Sequence, residues 1–164
     1  LEVGGLRILA LHGDPESLAG WGLAVEAMPP PGEASPAIAD WFRRTGARVL
    51  AGSHTCLPFM QDWVLDGHRH LVANNGAAGM PNFRGDRRGL VTRIGIRPSP
   101  FPTLYGTRLD GVYVEALPVA WEPGWDAWFA AHWPPGSPAW ESYRERFVAG
   151  PRHGLAQARR LAPA

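Results

Sequence analysis

The chain has 164 residues, 45% of them apolar and 19% charged, enough for one domain with a core and too few for two ordinary ones. A net charge of +1 lacks the positive surplus that general nucleic-acid binding needs, and all sixteen basic residues are Arg, which excludes a catalytic lysine and a phosphate loop ending in Gly-Lys. The single cysteine, Cys56, excludes an internal disulfide. No apolar run nears the ~20 residues of a membrane span, and no start resembles a signal peptide, so a cytoplasmic chain is expected.

Residues 7–11 (Arg-Ile-Leu-Ala-Leu) form a short apolar run suited to a buried strand, ending in the polar loop His12-Gly13-Asp14-Pro15. Leu18, Trp21, Val25 and Met28 fall at helical spacing behind Ser17, predicting a helix over 17–28 that stops at Pro29 to Gly32. Ser35-Pro36 reads as a cap with proline in the first turn of a helix ending at Thr45-Gly46. Arg48 to Ala51 is a second buried strand, ending in Gly52-Ser53-His54-Thr55-Cys56-Leu57-Pro58. This strand–helix–strand order predicts a crossover unit with parallel strands, which brings both polar loops to the edge where ligands of α/β sheets collect.

Asp66-Gly67 predicts a tight hairpin between residues 59–65 and 68–73, and Asp110-Gly111 a hairpin into 112–119. Residues 89–96 alternate as a half-exposed strand. From Gly124 onward the pattern is helical: Trp125, Trp128 and Phe129 in one segment, then Trp140, Tyr143 and Phe147 behind Ser137-Pro138. The Arg- and Ala-rich tail 151–161 predicts a short surface helix. The sheet-forming part with the site loops is thus 7–120, and 121–164 supplies closing helices.

Imidazole is a common ligand of transition metals, and thiolate suits the softer ones. His12, His54 and Cys56, on two loops at one sheet edge, are therefore candidate ligands; the simpler alternative is two ordinary loop histidines. His68 and His70 share a strand face but sit beside a tight turn, which favours a structural role. The loop Asn74-Asn75-Gly76-Ala77-Ala78-Gly79 has small residues that would let backbone amides approach an anion, or it simply ends a strand. The eight Trp read as core and helix-packing anchors.

Three segments, in order, resemble the second half of a calcineurin-like metallophosphoesterase. Ile8-Leu9-Ala10-Leu11-His12-Gly13 resembles the family's strand ending in a metal-binding His-Gly. Gly52-Ser53-His54-Thr55-Cys56-Leu57-Pro58 resembles its Gly-His-Thr-His-Leu-Pro loop, with Cys56 at the second histidine and Ser53 at the preceding glycine. Leu71 to Pro81 resembles its Asn-Pro-Gly-Ser strand and turn. The resemblance implies part of an α/β, two-sheet αββα sandwich, either a single domain or its carboxyl-terminal portion. It implies a phosphoesterase using metal-activated water, with divalent Mn, Fe or Zn as cofactor, two ions when an upstream segment is present. His12, His54 and Cys56 would be ligands, and Thr55, Asn75 and Gly76 would face the phosphate of a small-molecule or nucleotide ester. The family's aspartate-bearing upstream motifs have no match in the chain, and it opens on Leu1. The expectation is therefore an upstream segment or second copy that completes the sheet, or else a catalytically silent domain of the same fold serving in binding or assembly.

Overall fold

A computed structural model describes residues 1–122 and 124–162. The chain is a mixed α/β structure. Strands β1 (Glu2–Val3), β2 (Leu6–Ala10), β3 (Val49–Gly52), β4 (Phe59–Leu65), β5 (His68–Asn74) and β9 (Arg159–Arg160) form a six-stranded sheet in the order β1-β2-β3-β5-β4-β9. Strands β6 (Gly89–Gly95), β7 (Tyr105–Leu109) and β8 (Val112–Val119) form a three-stranded antiparallel sheet in the order β6-β8-β7. The helices are α1 (Pro36–Thr45), α2 (Trp125–His132), α3 (Pro138–Ala149) and α4 (Leu155–Ala158). Among the described residues no helix is long and apolar enough to cross a membrane.

The expected crossover unit is present: β2 and β3 pair in parallel, Ile8 opposite Val49 and Ala10 opposite Ala51, and β5 joins them in the same direction. Alternation along these strands divides the core in two. Ile8, Val49, Met60, Leu71 and Ala73 share one cluster with Leu90, Val112, Val114 and Ala116 of the smaller sheet. Leu50, Phe59, Trp63 and Val72 point the other way, into a cluster with Ile38, Trp41 and Phe42 of α1. α1 begins as the sequence predicts: the Ser35 hydroxyl accepts from the Ile38 amide at 3.2 Å, Pro36 opens the first turn, and Gly46 leaves it at φ 61°. Both Asp-Gly hairpins form, with Asp66 and Asp110 at positive φ as a tight two-residue turn requires.

Two expectations are corrected. Residues 17–28 hold only a one-turn 3-10 helix, Val25–Ala27. The Asp14 carboxylate accepts from the amides of Glu16, Ser17 and Gly22, each at 2.9 Å, drawing the backbone into a compact loop in place of a helix. The tail is not a surface helix alone. After α4 it becomes β9, which pairs in parallel with β4 (Met60 opposite Arg159), and Ala158 is fully buried. The tryptophans of 121–164 do pack helix on helix: Phe129 of α2 meets Phe147 of α3 with ring centroids 4.3 Å apart, and Trp140 at 5.6 Å.

Candidate functional site

The parallel ladder continues past both strand ends. The Leu11 amide donates to Ala51 O at 3.0 Å and the Ser53 amide to His12 O at 3.3 Å, so each histidine lies two residues beyond its strand and beside the other. His54 Nδ1 lies 3.0 Å from His12 Nε2, with ring centroids 4.7 Å apart. One nitrogen must donate a proton to the other, or both must point their lone pairs at a shared cation.

The loop that carries His54 is strained. Its Thr55 amide donates to Ser53 O at 2.7 Å and its Leu57 amide to Thr55 O at 2.9 Å, spanning His54 and Cys56 in turn. Both central residues have φ 63°. These are two successive γ-turns of the rare positive-φ kind, an arrangement most side chains disfavour. Among the described residues the other non-glycine positions at positive φ, Asp66 and Asp110, belong to the hairpin turns, so the strain there that no hairpin explains falls on the candidate site.

Beneath the loop lies a hydrogen-bonded tie. The carbonyl of the fully buried Leu23 accepts from Asn74 Nδ2 at 2.9 Å and from the Thr55 hydroxyl at 3.4 Å, while Asn74 Nδ2 also donates to Thr55 Oγ1 at 2.8 Å. Thr55 is 5% exposed and faces inward, so its hydroxyl joins two loops and presents nothing to a substrate. Asn75 Nδ2 donates to Leu90 O at 2.9 Å, fastening the end of β5 to β6. Gly76 is buried at φ 66°, and a Cβ there would overlap Asn82 and Pro58. The polar groups expected to face phosphate are thus engaged inside the protein.

Cys56 does not join the histidines. Its thiol donates to His54 O at 3.2 Å, and its carbonyl accepts from Arg146 of α3 at 2.7 Å. Among the described residues no group of three or more His, Cys, Asp or Glu is arranged to hold a metal ion. Asp14, two residues after His12, is taken up by its own loop. His70 packs on Phe42 at 4.8 Å, and burial lowers its pKa below the ordinary histidine value, as expected of a structural residue. The imidazole pair nevertheless fits part of a metal site. Two nitrogens each about 2.1 Å from one ion can be no more than about 4.2 Å apart, and 3.0 Å lies within that limit. His12 is exposed, which leaves the pair open to ligands from solution.

Sequence reasoning missed the residue next to this pair. Trp21, assigned to the core face of a helix, is 63% exposed, with its ring 5.4 Å from that of His54. Gly20 and Gly22, poor helix formers on either side of it, were the clue.

An α/β fold with its polar loops at one end of a parallel strand pair defines the class of structure. Among solved structures, the chain is similar to that of a hypothetical protein, PH1004, from Pyrococcus horikoshii OT3, with a TM-score of 0.54 and 13% identity over 93% of this chain and 50% of that one. The chain spans about half the length of that protein, and the likeness is one of fold alone. No protein-family model and no curated protein matches the sequence.

Proposed function

We propose that the chain carries the histidine side of a metal-dependent phosphoesterase site, in a two-sheet sandwich of the metallophosphoesterase type. The observation that carries this reading is the approach of His12 Nε2 to His54 Nδ1 at 3.0 Å, from loops 42 positions apart in sequence. The core cluster drawn from both sheets supports the sandwich. His12 and His54 would hold one divalent ion, Mn, Fe or Zn. When bound, such an ion neutralises charge on phosphoryl oxygens and acidifies water. The protein's own part is positional. The β2–β3 ladder sets the spacing of the two rings, and the Leu23–Thr55–Asn74 tie holds the His54 loop at the depth that keeps its ring against His12. The remaining donors would come from water, substrate, a further segment or a second copy.

A second reading is a catalytically silent domain of this fold serving in binding or assembly. The Cys56 thiol, turned onto the carbonyl of its own loop, favours it. Hydrolysis of an aryl phosphate with added Mn²⁺ separates the two. The enzymatic reading expects turnover that falls at least about a hundredfold in His54→Ala. Turnover that is lost in His54→Ala eliminates the silent one.

A further inference from the structure

We propose that Trp21 is a specificity-determining residue of this site, a wall against which a planar aromatic group of a phosphate ester stacks. The inference rests on the phosphoesterase reading and adds the class of substrate. Trp21 sits at the rim of the histidine pair, edge-on to His54 at 5.4 Å and 64° between planes, with 63% of its surface still in water. Its indole thus keeps a large flat apolar surface open beside the two imidazoles.

The loop that presents it is built rather than loose. The Gly20 amide donates to Ser17 O at 3.0 Å, the Gly22 amide to Asp14 Oδ2 at 2.9 Å, and the Ala24 amide to Trp21 O at 3.0 Å, so the backbone is fixed on both sides of the indole. Gly20 and Gly22 admit no Cβ, since one would overlap the Asp14 carboxylate and the other the Trp41 ring. Glu16 accepts from Trp41 Nε1 at 2.8 Å and pairs with Arg44, stapling the loop to α1. Leu23, two residues after Trp21, is the buried anchor whose carbonyl meets Thr55 and Asn74. One hydrogen-bonded unit therefore sets the distance between the indole and His54.

A phosphate drawn to His12 and His54 would carry its ester group past Trp21. A preorganised aromatic wall loses little freedom when a flat ring stacks on it, whereas an aliphatic ester gains only partial contact. Aryl and nucleoside phosphates share the chemistry that this wall selects.

The test is calorimetric binding of phenyl phosphate, adenosine monophosphate and glycerol 2-phosphate to the full chain in Mn²⁺, for wild type, Trp21→Ala and Trp21→Phe. The expected result is a preference of about tenfold for one or both aromatic esters over glycerol phosphate, kept in Trp21→Phe and abolished in Trp21→Ala. The phenyl and adenosine arms tell an aryl from a nucleobase ligand. Equal binding of all three esters to the wild type, or a preference that survives Trp21→Ala, overturns this inference and leaves the phosphoesterase reading standing. Failure of every ester to bind overturns both.

Discussion

His54 and Cys56 share a φ of 63°, and only one of them has an evident reason for it. The turn at His54 aims its ring at His12. The turn at Cys56 delivers a thiol to a neighbouring carbonyl, a weak hydrogen bond. A side chain in the left-handed region costs about 1 kcal/mol or more, and glycine removes that strain while adding some freedom to the unfolded chain. Cys56→Gly should therefore raise the melting temperature by about 2–4 °C and leave metal affinity unchanged. A lower melting temperature would show that the turn at Cys56 carries no such strain, and weaker metal binding would restore Cys56 to the ligand set. Residue-level chemistry was only half legible beforehand. Imidazoles two positions beyond parallel strands could be placed together by register, but the direction of the Cys56 thiol depends on two dihedral angles that no spacing encodes.

At the scale of elements, the return of the tail to the sheet links a distant histidine to the site loop. His153, just before α4, is 3% exposed, stacks on Phe83 at 5.8 Å, and donates from Nε2 to Pro58 O at 2.8 Å, at the far end of the loop bearing His54. Burial, the leading cause, holds its pKa below the ordinary histidine value. The unfolded chain therefore takes up a proton first as pH falls, so stability is full above about pH 6.5 and is lost as pH drops toward the folded-state pKa, by at most about 1.4 kcal/mol per pH unit. Melting temperature measured from pH 7.5 to 5 should fall more steeply in wild type than in His153→Gln, which can still donate to Pro58 but does not titrate. Parallel curves would contradict this. The elements with strong local punctuation were legible in the sequence: the Asp66-Gly67 and Asp110-Gly111 hairpins, and the helices behind Ser35-Pro36 and Ser137-Pro138. The loop 13–24 and the strand Arg159–Arg160 were not. In the first, side-chain capping by Asp14 overrides an apolar spacing that mimics a helix. In the second, two arginines have no strand preference of their own and are drawn into register by β4, where Arg160 Nε donates to Gln61 at 2.5 Å.

At the scale of the molecule, two loops from one parallel strand pair and a third after β5 converge at one end of the larger sheet. Their mutual bonds leave the two imidazoles and Trp21 facing outward while Thr55, Asn74 and Asn75 are consumed inside. Everything proposed for this site depends on His12 and His54 acting as a pair of ligands. Calorimetric titration of the full chain with Zn²⁺ or Mn²⁺ measures this directly, compared among wild type, His12→Ala and His54→Ala. The predicted result is one ion per chain, with affinity reduced at least about tenfold in each variant, since removing even an outer-shell partner of a metal ligand has an effect of that size. Absence of binding in the wild type, or binding unchanged in both variants, would contradict it.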